Sequence, residues 1–176
     1  SQQGPALKDW TLEPILPTLG DRAVTFIERE ARTPEPFLIY MPLTSPHTPL
    51  SVNDEWKGES GLNLYADFVM ETDAVVGRVL ESLKKSGAAE NTLVVWISDN
   101  GPMYAFYPNS GYSWLRGGKG DVLEGGVRVP AMAVWPGMIA PNQDPVDVLH
   151  LTDLFTTAAR LGGALDNIPD DRVTDG

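Results

Sequence analysis

Two apolar runs, FLIYMPL (Phe37–Leu43) and the TLVVWIS of TLVVWISDNG, stand on either side of a long stretch with helical periodicity. Within that stretch Leu64, Phe68, Val69, Val75, Val76, Val79, Leu80 and Leu83 recur on one helical face, and Gly87 supplies a stop. Strand, helix, strand in series is the feature that most limits the architecture. Parallel neighbours need a long crossover, usually a helix, and that order points to an α/β layer structure. VPAMAVWPG reads as a further strand. Pro17–Arg32 and Val148–Leu161 read as flanking helices, the second closed by Gly162-Gly163. The expectation is an α/β fold with a largely parallel sheet flanked by helices.

Bulk properties remove several functions. At 176 residues the chain has the length of one domain, and 42% hydrophobic residues suffice for a core. A net charge of −11 opposes binding to nucleic acid or an anionic membrane, and no Lys/Arg run offsets it. No apolar run is long enough for a membrane span, and SQQGPALKDW has neither the basic start nor the apolar stretch of a signal peptide. With no cysteine, disulfides, thiolate metal sites and a cysteine nucleophile are excluded within these residues.

Polar residues gather just beyond the strand ends, where α/β folds place their chemistry. His47 follows the first run in a proline-rich loop, either as a surface residue or as a group that exchanges protons near neutral pH. Asp99 and Asn100 follow the second run. Side by side they offer two hard oxygen donors for Ca²⁺ or Mg²⁺, but Asp-Asn-Gly is also ordinary turn chemistry, which the tripeptide alone favours. His150 reads as structural, Glu124 and Arg128 as a salt bridge, and Arg116 is open.

RGGKGDVLEGGVRVP sets Lys119 among glycines. It is not a phosphate-binding P-loop, because Ser113 occupies the required glycine position and Gly120 follows the lysine. Lys119 is therefore a point charge for an anionic ester or a solvated lysine in a turn. The preceding loop, Met103–Trp114, is rich in aromatics that either line a pocket for an aryl or sugar group or fill core.

FLIYMPLTSPHTPL, ETDAVVGRVLESL, SDNGP and LRGGKGDVLEGGVRVPAMAVWPG, in this order and spacing, resemble the C-terminal part of the catalytic domain of type I, formylglycine-dependent sulfatases. These are arylsulfatase-like members of the alkaline phosphatase superfamily. The likeness runs from about Phe37 to Gly163 and includes LTDLFTTAARLGG. It implies that Asp99 and Asn100 ligate a divalent metal, usually calcium rather than magnesium. It implies that Lys119 contacts the sulfate and its bridging oxygen, and that His47 stands near the leaving-group oxygen. The substrate implied is a small sulfate ester, and the compartment periplasmic or extracellular.

The family's Cys/Ser-x-Pro-x-Arg motif, source of the formylglycine, is absent from these residues. The expectation is a partial catalytic domain over 1–176, inactive alone, whose partner is the remainder of that domain. Two alternatives stand beside it. One is a phosphonate or phosphate monoester hydrolase of the same superfamily, and the other is a non-catalytic interaction domain of sulfatase descent.

Overall fold

The computed structural model describes residues 8–104, 111–145, 147–169, 171 and 173. Helix α1 spans Ile15–Glu30 and buries Leu16, Gly20, Ala23 and Ile27, a single stripe at helical spacing. It packs on α2, Leu64–Lys85, whose buried residues include Phe68, Val75 and Leu83. Gly20 permits the close approach, since a side-chain carbon there would lie 2.8 Å from Val75 Cγ1. Arg78 on α2 pairs with Asp21 on α1 across the same face.

Both ends of α2 are set by local chemistry. The Asn63 side chain accepts the Ala66 N–H at 3.0 Å, capping the start. At the other end Gly87, at φ +76°, places its N–H on Lys84 O and the Ala88 N–H on Leu83 O, a Schellman motif. Behind the N-terminus, Asp67 is 3% exposed yet fully engaged. Its two oxygens accept the Gly58 and Ser60 backbone N–H groups, each at 2.9 Å.

The core cluster of Leu16, Val52, Phe68 and Val75 is completed by Met41, Leu43, Leu50 and Trp56. Burial alternates strictly from Phe37 to Leu43: Phe37, Ile39, Met41 and Leu43 face inward, whereas Leu38, Tyr40 and Pro42 are exposed. That is the side-chain rhythm of a half-buried strand. The segment nevertheless has no ladder partner among the described residues.

The only ladder among the described residues joins β1, Val94–Ile97, to β2, Ala131–Val134, and it is antiparallel with Val94 opposite Val134. The largely parallel sheet expected from the strand–helix–strand order is not seen among the described residues. The first apolar run is extended but unpaired, and the second pairs with the third running the other way.

Between the two strands lies the short helix α3, Glu124–Val127, with the Glu124–Arg128 ion pair at 3.3 Å. The closing helix α4 runs Asp153–Leu161, shorter than the expected Val148–Leu161. The Asp153 carboxylate accepts the His150 backbone N–H at 2.7 Å, so the helix begins at this turn. His150 stands just before α4, bonded to Thr152 of its own turn.

Candidate active site

Lys119 occupies a corner. The Asp121 N–H donates to Gly118 O at 2.9 Å, closing a β-turn with Lys119 and Gly120 at its centre, and Gly120 has φ +96°. A positive φ at the third residue is what a type II turn requires, which accounts for one glycine of the frame.

Gly117 too has a positive φ, +89°, whereas Gly101, Gly118, Gly125 and Gly126 serve contact rather than torsion. A side-chain carbon on Gly101 would overlap Gly125 O, and one on Gly118 would lie 2.6 Å from Pro102 O. One on Gly125 or Gly126 would overlap the carbonyls of Gly117 and Asp121 respectively. Gly101 and Gly118 thus let two stretches of main chain lie against each other, and Gly125 and Gly126 let the lysine loop fold closely on itself. Two hydrogen bonds fasten the two stretches: Gly101 N–H to Gly126 O at 2.9 Å and Lys119 N–H to Pro102 O at 3.0 Å. The turn that follows β1, carrying Asp99 and Asn100, is in this way bound directly to the loop carrying Lys119.

The third segment arrives through side chains. Lys119 Nζ lies 3.0 Å from His47 Nε2, a contact between residues 72 apart in sequence. His47 Nδ1 lies 2.6 Å from Thr48 O. A carbonyl oxygen only accepts, so the ring proton sits on Nδ1, and Nε2 offers its lone pair to the lysine ammonium. The pair holds while the imidazole is neutral, since a proton on Nε2 would face a second donor. Both side chains are exposed. Depressions of about 510 Å³ between α1 and α2 and about 260 Å³ beside α4 do not include either residue.

Asp99 is exposed and Asn100 half-buried. The Asn100 amide nitrogen donates to Gly101 O at 2.9 Å, leaving its Oδ1 without a partner among the described residues, as is the Asp99 carboxylate. Two side chains with free hard oxygens on one turn fit a share of a Ca²⁺ or Mg²⁺ ligand set. No group of three or more His, Asp or Glu suited to a metal occurs among the described residues. Any complete site draws most of its ligands from elsewhere.

Of the aromatic loop, Tyr104 packs its ring against Gly118 and donates its hydroxyl to Ser113 O at 3.3 Å. Tyr112 and Trp114 are 75% and 85% exposed and fill no core, whereas Tyr107 lies outside the described residues. Sequence reasoning passed over Asp121, whose Oδ2 accepts the Gly118 N–H at 2.9 Å. The Gly-Lys-Gly-Asp order, with an acidic residue where a turn closes, was the available signal.

The fold falls in the alkaline phosphatase-like class, as its structural neighbours do. The PsFucS1 sulfatase of Pseudoalteromonas sp. superposes with a TM-score of 0.86 at 37% identity, over 92% of this chain and 32% of that one. The chain belongs to the sulfatase family, whose sequence model, described as Sulfatase, matches residues 16–164. It is 41% identical to the steryl-sulfatase of Rattus norvegicus over 90% of its own length and 28% of that protein's. It is 38% identical to the N-acetylgalactosamine-6-sulfatase of Mus musculus over 88% of its own length and 30% of that protein's. The chain therefore spans less than a third of the length of each of these relatives.

Proposed function

We propose that residues 1–176 form part of the catalytic domain of a sulfatase that hydrolyses sulfate monoesters to an alcohol or phenol and sulfate. The observation that carries this reading is the 3.0 Å contact between Lys119 Nζ and His47 Nε2 on loops joined to the Asp99–Asn100 turn. In this reading Lys119 places its ammonium on the sulfate and its bridging oxygen, where negative charge develops as the ester bond breaks. His47 stands near the same oxygen, where its Nε2 accepts from the Lys119 ammonium and helps to aim it. Asp99 and Asn100 supply two ligands to a divalent cation, calcium rather than magnesium, whose chemistry when bound is to neutralise charge on the sulfuryl oxygens. The nucleophile, a formylglycine, belongs to a segment other than these residues, as do the remaining ligands.

The partner proposed is the remainder of the catalytic domain, and the exposed surface supports it. The chain exposes 13,418 Å², against about 8,400 Å² expected for a folded protein of this mass. This is more open surface than a closed domain of that mass presents. Much of it is apolar: Leu38, Tyr40, Met132, Val134, Phe155 and Leu161 are each at least half exposed. Among the described residues no helix is long and apolar enough to cross a membrane.

The test is hydrolysis of a chromogenic aryl sulfate by the full-length protein, with and without calcium chelation, beside Lys119→Ala and His47→Ala. Chelator-sensitive turnover that falls at least a hundredfold in both variants is expected. A folded protein inert towards sulfate, phosphate and phosphonate esters would sink the proposal.

A further inference from the structure

Lys119 is flanked by Gly117, Gly118 and Gly120, the residue type with the greatest backbone freedom. A cation that must meet an ester oxygen within a few tenths of an ångström cannot hang on so loose a support. Three hydrogen bonds restrain it. Two are between main-chain groups: Lys119 N–H to Pro102 O at 3.0 Å and Asp121 N–H to Gly118 O at 2.9 Å. The third comes from a side chain, Asp121 Oδ2 accepting the Gly118 N–H at 2.9 Å. Gly118 is buried against Pro102 and Tyr104, so its N–H has no ready access to water.

We infer that Asp121 is the positioning residue for Lys119, holding the turn from below so that the ammonium reaches His47 Nε2 and, with it, the leaving-group oxygen. Asp121 closes the turn twice, through its own N–H and through its carboxylate, and so spans the lysine corner on both sides. It touches no reacting atom. Its side chain acts as an acceptor, so an amide at the same position does the same work with Oδ1. This assignment rests on the sulfatase reading for its effect on rate, but the geometry it describes can be read without turnover.

The experiment compares Asp121→Ala, Asp121→Asn and Lys119→Ala in the full-length protein by aryl sulfate hydrolysis and by the ¹⁵N chemical shift of His47 Nε2. D121A is expected to lower kcat/KM at least tenfold, D121N to recover most of that loss, and both to melt within a few degrees of the wild type. The His47 Nε2 resonance should move towards its K119A position in D121A and stay near the wild-type position in D121N. A D121A protein with wild-type rate and shift overturns the assignment. So does a D121N protein as impaired as D121A, which would make the carboxylate charge, not the acceptor, the acting feature. If the wild type proves inert towards sulfate esters, the functional reading fails alone, and the His47 resonance still decides the role of Asp121.

Discussion

Replacing Gly118 by Ala probes the close main-chain contact behind Lys119 with a single carbon. Gly118 has no positive φ, so alanine suffers no torsional strain there, and any effect comes from space. The added carbon would lie 2.6 Å from Pro102 O and 2.7 Å and 2.8 Å from Tyr104 Cε2 and Cδ2. Atoms of this kind rest at about 3.5 Å, so the surfaces must part by just under 1 Å. The Tyr104 ring is partly exposed and can swing, but Pro102 O belongs to the main chain and accepts the Lys119 N–H. Parting them therefore carries Lys119 away from the Asp99–Asn100 turn. Overpacking of this size costs about 1–3 kcal/mol in stability, and a 1 Å misplacement at a reacting group costs about a hundredfold in rate. The full-length G118A protein should thus lose roughly a hundredfold in kcat/KM on an aryl sulfate while still unfolding cooperatively. Gly87→Ala is the control, since Gly87 has φ +76° with open space around it and ends α2, remote in sequence from the lysine loop. It should lose about 1 kcal/mol of stability with little change in rate. Wild-type kcat/KM in G118A, or an equal rate loss in the Gly87 variant, would refute the argument.

Asp67 makes the fold acid-sensitive. Bonds from the Ser60 side chain, then from the Gly58 and Ser60 N–H groups, hold its carboxyl below the ordinary carboxylate range. A lowered folded-state pKa means the stabilisation is present above the unfolded value of about 3.9 and is lost as pH falls through the folded value. Melting temperature measured from pH 7 to pH 3 should therefore fall on the acid side, and Asp67→Asn should melt lower at pH 7 with a flatter acid limb; parallel curves would exclude Asp67 as the source. Trp114 is 85% exposed, so Trp114→Ala should leave the melting temperature unchanged while altering the ratio of kcat/KM between two sulfate esters. An equal loss on every ester would instead assign it a role in folding.

The helices were legible because their signals are local. The stripe of α1 and the Gly87 stop of α2 each depend on residues within a turn or two of one another. α4 was read five residues too long because Val148, Leu149 and Leu151 continue its apolar pattern, while the His150–Asp153 turn, a side-chain bond, delays its start. Strand-forming character was legible in Phe37–Leu43, but pairing was not, since a ladder needs a second strand and the periodicity names none. The reversed direction of β2 was hidden for the same reason. The proximity of His47 to Lys119 came from resemblance to a family rather than from any spacing in the chain. The packing of Gly101 against Gly125 was out of reach, because the frame reads only as flexible until its neighbours are known.

The run Phe37–Leu43, unpaired among the described residues, also bears on how such a chain behaves in a cell. FLIYM carries no charge and has high β propensity, the composition of a segment that templates its own copies. Pro36 stands immediately before it and Pro42 immediately after, and neither can donate to a growing ladder. Any illegitimate sheet is confined to five residues, Phe37–Met41, a short footing for a fibril. The two prolines work as gatekeepers that discourage a stack of identical strands.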